Sequence, residues 1–135
     1  MAKTTPGSAA GGGTSNVVRA AVAAGESGTA VADAGYPPAN ATSCAGWRTV
    51  AVFPRFTNGT TPNVTVQILH RVALVSGNGW MVGPMSPPLA EGESFIFETF
   101  GRDFFVRVHT ITGTPDSVDI HAAGWQPYRY DGPTR

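Results

Sequence analysis

The first 45 residues contain no Phe, Trp, Leu or Ile, and this absence limits what the N-terminal third of the chain can fold into. The segment is mainly Gly, Ala, Ser and Thr, with scattered Val, a single Tyr36 and the pair Pro37 and Pro38. Burial of so little apolar surface does not offset the entropy that is lost on ordering, so the segment alone should be disordered. We therefore interpret residues 1–46 as an extended arm that other contacts must order.

The remaining residues, 47–135, have the composition of one compact β-rich domain. A domain of roughly 90 residues is large enough for a single two-sheet sandwich. The chain holds 17 Gly and 11 Pro, which favours many turns and short strands over helices.

Alternating and β-branched patterns predict six strands in this domain. The longest run, 64–75, places Val64, Val66 and Ile68 on one apolar face, which is typical of a central strand. Residues 15–24 suit either a short strand or a brief Ala-rich helix, for which their length is marginal, and residues 29–33 are a second weak strand candidate. Six strands and two weaker candidates together predict an all-β fold, an antiparallel two-sheet sandwich of jelly-roll type. The other predicted strands lie at 47–56, 79–83, 94–100, 103–112 and 118–125.

The last two predicted strands are interpreted as a terminal hairpin with a five-residue loop. In that register His109 and His121 lie opposite each other, a spacing at which two imidazoles can share a metal ion. Neither a His-x-His pattern nor a carboxylate cluster accompanies the pair. We therefore expect no metal site and interpret the two histidines as part of a half-exposed sheet face.

The composition argues against several classes of function. The nine basic and nine acidic residues balance, so the basic excess of a nucleic-acid-binding protein is missing. There is no apolar run of about 18 residues that would predict a membrane span. The single cysteine, Cys44, excludes an internal disulfide. Because no G-x-S-x-G elbow, P-loop or dinucleotide fingerprint occurs, we expect no enzyme activity, no catalytic residues and no cofactor.

Apolar, aromatic and arginine side chains near the two ends of the chain are the candidates for binding a partner. Eight of the nine basic residues are Arg, which suits bidentate and partly desolvated contacts. The tail from residue 125 has more aromatic area than a small sandwich needs for its own closure. The candidate partner-binding residues are Val17, Val18, Arg19, Val22, Tyr36, Trp125, Tyr128, Arg129 and Tyr130.

The organisation of the whole chain resembles the small decoration, or cement, proteins of tailed-bacteriophage particles. The resemblance lies in a Gly/Ala/Thr-rich arm, residues 1–46, followed by a compact strand-rich domain that begins at Trp47. It implies a non-enzymatic structural protein of the virion that binds the major capsid protein or other virion subunits and forms a homo-trimer or homo-dimer. Two alternatives stay open: a β-sandwich module that binds carbohydrate or a receptor, and a component of the phage tail or neck.

Overall fold

The computed structural model describes residues 16–31, 36–37, 42–43, 47–74, 77–99 and 103–125. These residues form eight strands and no helix, so the all-β prediction is confirmed; no segment of the described chain is a helix that could span a membrane. The strands are β1 (Asn16–Val22), β2 (Thr42–Ser43), β3 (Thr49–Thr57), β4 (Asn63–Leu74), β5 (Gly77–Met85), β6 (Phe95–Glu98), β7 (Asp103–Thr112) and β8 (Ser117–Trp125).

The strands form two antiparallel sheets, as the sequence predicts. The first sheet has the order β1-β8-β3-β6. The second sheet has the order β2-β7-β4-β5, in which β2 is only two residues long and the other three strands are long. Every neighbouring pair is antiparallel.

One apolar core joins the two sheets. The inward residues of β4, which include Val66 and Ile68, are fully buried, and this confirms the predicted face of that strand. Phe97 of the first sheet meets Phe104 of the second edge to face, with ring centroids 5.4 Å apart. The two sheets therefore bury their inner faces against each other in a sandwich-like arrangement.

Pro54 lies inside β3, where it supplies no ladder N–H, and the neighbouring strand explains why it is tolerated. On one side Pro54 is in register with Ile120 of β8. On the other side β6 reaches only as far as Val52. Beyond that point β3 has no β6 neighbour, so the missing donor lies on an edge-like stretch.

The predicted terminal hairpin is wrong. The segments do form β7 and β8, but β7 pairs with β2 and β4 in the second sheet, whereas β8 pairs with β1 and β3 in the first. The connection crosses between the sheets, and Gly113 accepts a hydrogen bond at its carbonyl oxygen from the Thr60 N–H at 2.8 Å. His109 and His121 therefore belong to different sheets.

Of the two strands predicted near the N-terminus, one forms where it was predicted and the other does not. The candidate at 15–24 forms β1, whereas residues 29–31 of the second candidate are not a strand, and the short β2 forms at Thr42–Ser43 instead. β1 pairs with β8 and β2 pairs with β7, so the described part of the predicted arm is hydrogen-bonded to the domain that was predicted to begin at residue 47. Residues 1–15 lie outside the described residues.

Candidate functional site

Two of the predicted partner-binding residues, Arg19 and Tyr36, belong to an internal cluster beside β7. The cluster is centred on the Glu26 carboxylate, which lies 2.6 Å from Nη2 of Arg19 and also accepts a hydrogen bond from the Tyr36 hydroxyl at 3.3 Å. Arg19 lies over the Phe105 ring at 4.7 Å, and Tyr36 meets that ring edge to face at 5.7 Å. We call these residues the arginine–aromatic cluster: Arg19, Glu26, Tyr36, Phe105 and Arg107.

The segment at 25–29, which we call the strap, completes the cluster by covering one edge of β7. Pairing with β2 covers only Asp103 and Phe104 of that edge. Farther along, the Glu26 N–H donates to the Val108 carbonyl at 2.8 Å, and the Val108 N–H donates to Glu26 Oε1 at 3.0 Å. Arg107 donates from Nη2 to the carbonyl oxygens of Glu26 and Thr29. The strap thus satisfies main-chain groups that an uncovered edge would leave open.

The titration of this cluster follows from its burial and charges. Burial alone would raise the pKa of Glu26, but the hydrogen bond and charge of Arg19, with the Val108 N–H and the Tyr36 hydroxyl, bring it below its usual value of 4.5. Burial and the charge of Glu26 raise the pKa of Tyr36 to about 12. At neutral pH the cluster therefore holds an ionised carboxylate and a neutral phenol.

Because these side chains are occupied with one another, the cluster stabilises the fold and offers little to a partner. Its effect is visible on the outer face of the second sheet, where alternate residues would normally meet solvent. Phe105 points to that side, yet it is only 4% exposed, because Arg19 and Tyr36 lie against its ring. The sequence predicts that one of Phe104 and Phe105 is either buried on a second face or exposed at a contact, and Phe105 is buried on the outer face.

The valines of β1 are divided between the inside and the outside. Val22 belongs to the core and Val18 packs against it, so neither is a free contact residue. Val17, by contrast, is 49% exposed. Trp125, at the end of β8, is half-buried. The remaining predicted contact residues, Tyr128, Arg129 and Tyr130, lie outside the described residues.

The outer face of the first sheet differs from that of the second, because it keeps apolar side chains in solvent. Two cross-strand rows run over it: Ile96, Ala51 and Ala123 form one, and Phe53, His121 and Val17 form the next. Ile96 is 57% exposed, and Phe53 stacks on His121 with ring centroids 5.3 Å apart. We call this surface the open face: Val17, Ala51, Phe53, Ile96, His121 and Ala123.

In the part of the chain that the structure describes, the charged side chains beside the open face lie at its two ends, and several form contacts within the chain. Arg55 forms a 3.0 Å ion pair with Glu91, and Asp119 accepts a hydrogen bond from the Ala21 N–H at 2.7 Å. Glu98 lies at the opposite end, in register with Thr49. Among the described residues the centre of the face holds no Arg, Lys, Asp or Glu, so it suits an apolar partner surface.

A second apolar surface lies on β5, the outermost strand of the second sheet. Met81, Val82 and Met85 are all at least 40% exposed, and we call these three residues the β5 edge. No charged residue occurs from Gly77 to Ala90, although natural edge strands usually carry charge to prevent pairing with other chains. A bulge opposite Gln67 and Leu69, together with Pro84, interrupts this edge near its end.

Apart from Val17, sequence reasoning missed the residues of both surfaces, although the sequence carries a signal for each. The alternation of 94–100 places Ile96 and Phe97 on opposite faces of their strand. Only one of these two faces can enter the core between the sheets, so the other must lie outside it. For β5 the signal is the uncharged stretch itself. The strap contacts, in contrast, leave no sequence signal, because most of them join to main-chain atoms of β7.

The histidines do not form a metal site in the described part of the chain. His109 Nδ1 lies 2.8 Å from the Thr110 hydroxyl oxygen, while His121 stacks on Phe53 in the other sheet. His70 is fully buried beside the Phe97 ring, and burial lowers its pKa. Among the described residues no group of three His, Cys, Asp or Glu could hold a metal ion.

Comparisons with protein-family models, with curated proteins and with solved structures find no match to this chain.

Proposed function

We propose that this protein is a non-enzymatic structural component of a virus particle, a capsid decoration protein that binds and stabilises the shell. The observation that carries the proposal is the presence of two separate apolar surfaces, the open face on the first sheet and the β5 edge on the second. A protein that bridges neighbouring subunits needs at least two contact surfaces, and exposed apolar patches typically mark such contacts.

The strand pairing supports a jelly roll as the finer description of the fold. β1 pairs with β8, β2 with β7, β3 with β6 and β4 with β5, as in a long hairpin that is rolled into two facing sheets. Jelly rolls of eight strands are common in viral capsid proteins and in lectins. The step from this topology to a virion role is an analogy of fold, so the role itself is tested by measuring binding to shells.

We assign the β5 edge to the shell. The partner that fits it is an extended, uncharged segment of a shell subunit, which would add to β5 as a further strand. Topology supports this assignment, because within the described residues no strand pairs with the outer side of β5. The exposed methionines Met81 and Met85 suit such a contact, since their flexible side chains adapt to an irregular surface.

The test is co-sedimentation of the purified full chain with shells of the virus that encodes it. We expect saturable binding at a fixed ratio, at least about tenfold weaker for Val82→Glu because a charge would be desolvated at the contact. Gly28→Ala is the matched control, because a Cβ at Gly28 would meet nothing within 4 Å. Absence of binding by the wild type would contradict the virion role.

The alternative function, binding of carbohydrate or a receptor, rests on Trp125. This half-buried indole ends β8 in register with Thr49, and Glu98 lies opposite Thr49 on the next strand. An aromatic ring beside hydroxyl and carboxylate groups is a common way to hold a sugar. Binding on a glycan array that Trp125→Ala abolishes would favour this function over shell binding.

A further inference from the structure

We propose that the strap is a pH-sensitive cover of the β7 edge. The ionised Glu26 carboxylate holds the strap closed against β7, and protonation of that carboxylate releases residues 25–29 while both sheets stay folded. The proposal goes beyond the virion role and does not depend on it, because the opening can be measured on the isolated protein.

Glu26 takes the place of a neighbouring strand on this stretch of β7. Its Oε1 accepts a hydrogen bond from the Val108 N–H at 3.0 Å, while its own N–H donates to the Val108 carbonyl at 2.8 Å. In a regular antiparallel pair the main chain of one opposite residue would make both bonds. Here one of the two is made by a side chain, so the closure of the edge depends on the charge of that side chain.

The strap has no apolar side chain that could hold it in place. Its sequence is Gly-Glu-Ser-Gly-Thr, and three of these five residues are exposed. Its other contacts with β7 are polar: the Ser27 N–H donates to the His109 carbonyl at 3.1 Å, and Arg107 donates to two carbonyl oxygens of the strap. A segment that is held without apolar burial opens at a lower free energy than the fold as a whole.

Contacts on both sides of the strap limit how far the opening can spread. Val22, at the end of β1, belongs to the core, and β2 pairs with Asp103 and Phe104 farther along β7. Val106 and Val108 also belong to the core, so their side chains are held from within the sandwich and not by the strap. Release of the strap therefore uncovers main-chain groups of β7 and leaves the apolar core closed.

The charged and titratable groups that the structure describes around the Glu26 carboxylate come from three parts of the chain. Arg19 of β1 lies 2.6 Å away and is mostly buried, with a side-chain exposure of 15%. The Tyr36 hydroxyl lies 3.3 Å away, and β7 contributes Arg107 and His109 beside the strap. Protonation of Glu26 would leave the Arg19 charge without its counter-charge in a mostly buried position, which favours opening.

The direction of the pH dependence follows from the folded-state pKa of Glu26. Burial raises this pKa, but the hydrogen bond and charge of Arg19, with the Val108 N–H and the Tyr36 hydroxyl, bring it below its usual value of 4.5. The closed state is therefore favoured above pH 4.5 and is lost as the pH falls through the lowered value. Tyr36 stays neutral over this range, because its pKa is raised to about 12.

The first experiment is hydrogen exchange of single main-chain amides, followed by NMR on the full chain from neutral pH to below pH 4.5. The Val108 amide reports on the strap, and the Val66 amide, which donates to the buried Ser86 hydroxyl at 3.0 Å, reports on the fold. Protection factors correct for the intrinsic effect of pH on exchange. We expect the protection of Val108 to fall at least about tenfold relative to that of Val66 as Glu26 is protonated. Loss of protection at both amides together, or at neither, would overturn the proposal.

Glu26→Gln removes the charge at every pH and keeps the size of the side chain. At neutral pH it should already lower the protection of Val108 at least about tenfold, with little further change in acid. Glu93→Gln is the matched control, because Glu93 Oε1 also accepts a main-chain hydrogen bond, from the Ala90 N–H at 2.8 Å, in the loop before β6. It should keep the wild-type pH profile, and equal profiles for the two variants would overturn the proposal.

A second variant tests the cover without changing any charge. A Cβ at Gly25 would lie 2.7 Å from the His109 carbonyl oxygen, so Gly25→Ala should push the strap away from β7. We expect lower protection of Val108 at neutral pH, with Val66 unchanged. Gly28→Ala, whose Cβ would meet nothing within 4 Å, should match the wild type. Full protection of Val108 in Gly25→Ala would show that the strap does not cover this edge.

The two proposals fail separately. Shell binding by a protein in which the Val108 amide never opens ahead of the Val66 amide would support the virion role and refute the pH-sensitive cover. Acid opening at Val108 that Glu26→Gln reproduces at neutral pH, in a protein that does not bind shells, would give the reverse result.

Discussion

Arg19 and Glu26 form an ion pair within one short stretch of chain, seven residues apart, and the same Glu26 carboxylate accepts a hydrogen bond from the main chain of β7. The pair is mostly buried, with side-chain exposures of 15% and 19%. Arg19 also donates to the Val106 carbonyl at 2.8 Å, so both partners are tied to the same strand. The strap is therefore held to β7 by a charged group that is hydrogen-bonded on several sides.

Glu26→Gln is expected to lower the free energy of unfolding by about 1–3 kcal/mol at neutral pH, because hydrogen bonds to a charged acceptor are replaced by weaker ones. The folded-state pKa of Glu26 lies below its usual 4.5, so its contribution is present above pH 4.5 and is lost as the pH falls through the lowered value. Denaturant titrations of the wild type and of Glu26→Gln at a series of acid pH values measure this contribution to the free energy of unfolding. The difference between wild type and variant should shrink toward low pH, and a difference independent of pH would contradict the role of the charge.

Tyr36 is expected to ionise later than an ordinary tyrosine. Its pKa is raised to about 12, so the stabilisation that favours the neutral phenol is present below pH 10 and is lost as the pH rises through about 12. Near-ultraviolet absorbance titration of the full chain should show one of its three tyrosines ionising at the higher pH. In Tyr36→Phe that late component should be missing, and its persistence would assign it to another tyrosine.

Gly124 is expected to be intolerant of a side chain. It is buried in β8, and a Cβ there would overlap the indole of Trp47, which is itself buried in the core. Gly124→Ala should lower the free energy of unfolding by about 1–3 kcal/mol through overpacking. Gly28→Ala, which meets nothing within 4 Å, should leave thermal and denaturant midpoints unchanged. Equal midpoints for the two variants would show that Trp47 moves aside at little cost.

Ile68→Ala is expected to destabilise the fold by about 2–5 kcal/mol. Ile68 is fully buried in the middle of β4, between β7 and β5, so truncation leaves a cavity that neighbouring strands cannot readily close. Ile96→Ala is a suitable comparison, because Ile96 is exposed and should change stability by less than about 0.5 kcal/mol. Chemical denaturation measures the free energy of unfolding of both variants, and its dependence on denaturant concentration should be the same as in the wild type.

The sequence predicts the faces of strands better than it predicts their neighbours. The alternation of Val64, Val66 and Ile68 correctly identifies the buried side of β4, because a period of two depends only on the strand itself. The same alternation in β7 and β8 says nothing about which strand each will pair with. The short loop between β7 and β8 suggests a hairpin, but that loop crosses from one sheet to the other, so the two strands do not pair.

The candidate site was predicted only in part, for a related reason. Arg19 and Tyr36 were predicted to bind a partner, whereas the contacts that the structure shows for them are with Glu26 and Phe105 of the same chain. A residue type that suits an interface suits a second buried cluster equally well. Val17 is exposed as a contact residue should be, whereas Val22 faces the core. Which of the valines points outward depends on the bulges of β1, and no sequence pattern fixes those.

The nesting of strand pairs also determines the order in which the fold can form during synthesis. Among the described strands, β4 and β5 are the one pair of neighbours that are also consecutive in the chain, so this pairing can form early in synthesis. β1 must wait for β8, and the Ala21–Asp119 hydrogen bond joins residues 98 positions apart. An unpaired strand that waits this long invites aggregation if it is strongly apolar. The absence of Phe, Trp, Leu and Ile from residues 1–45 thus suits a strand that is synthesised well before the strand with which it pairs.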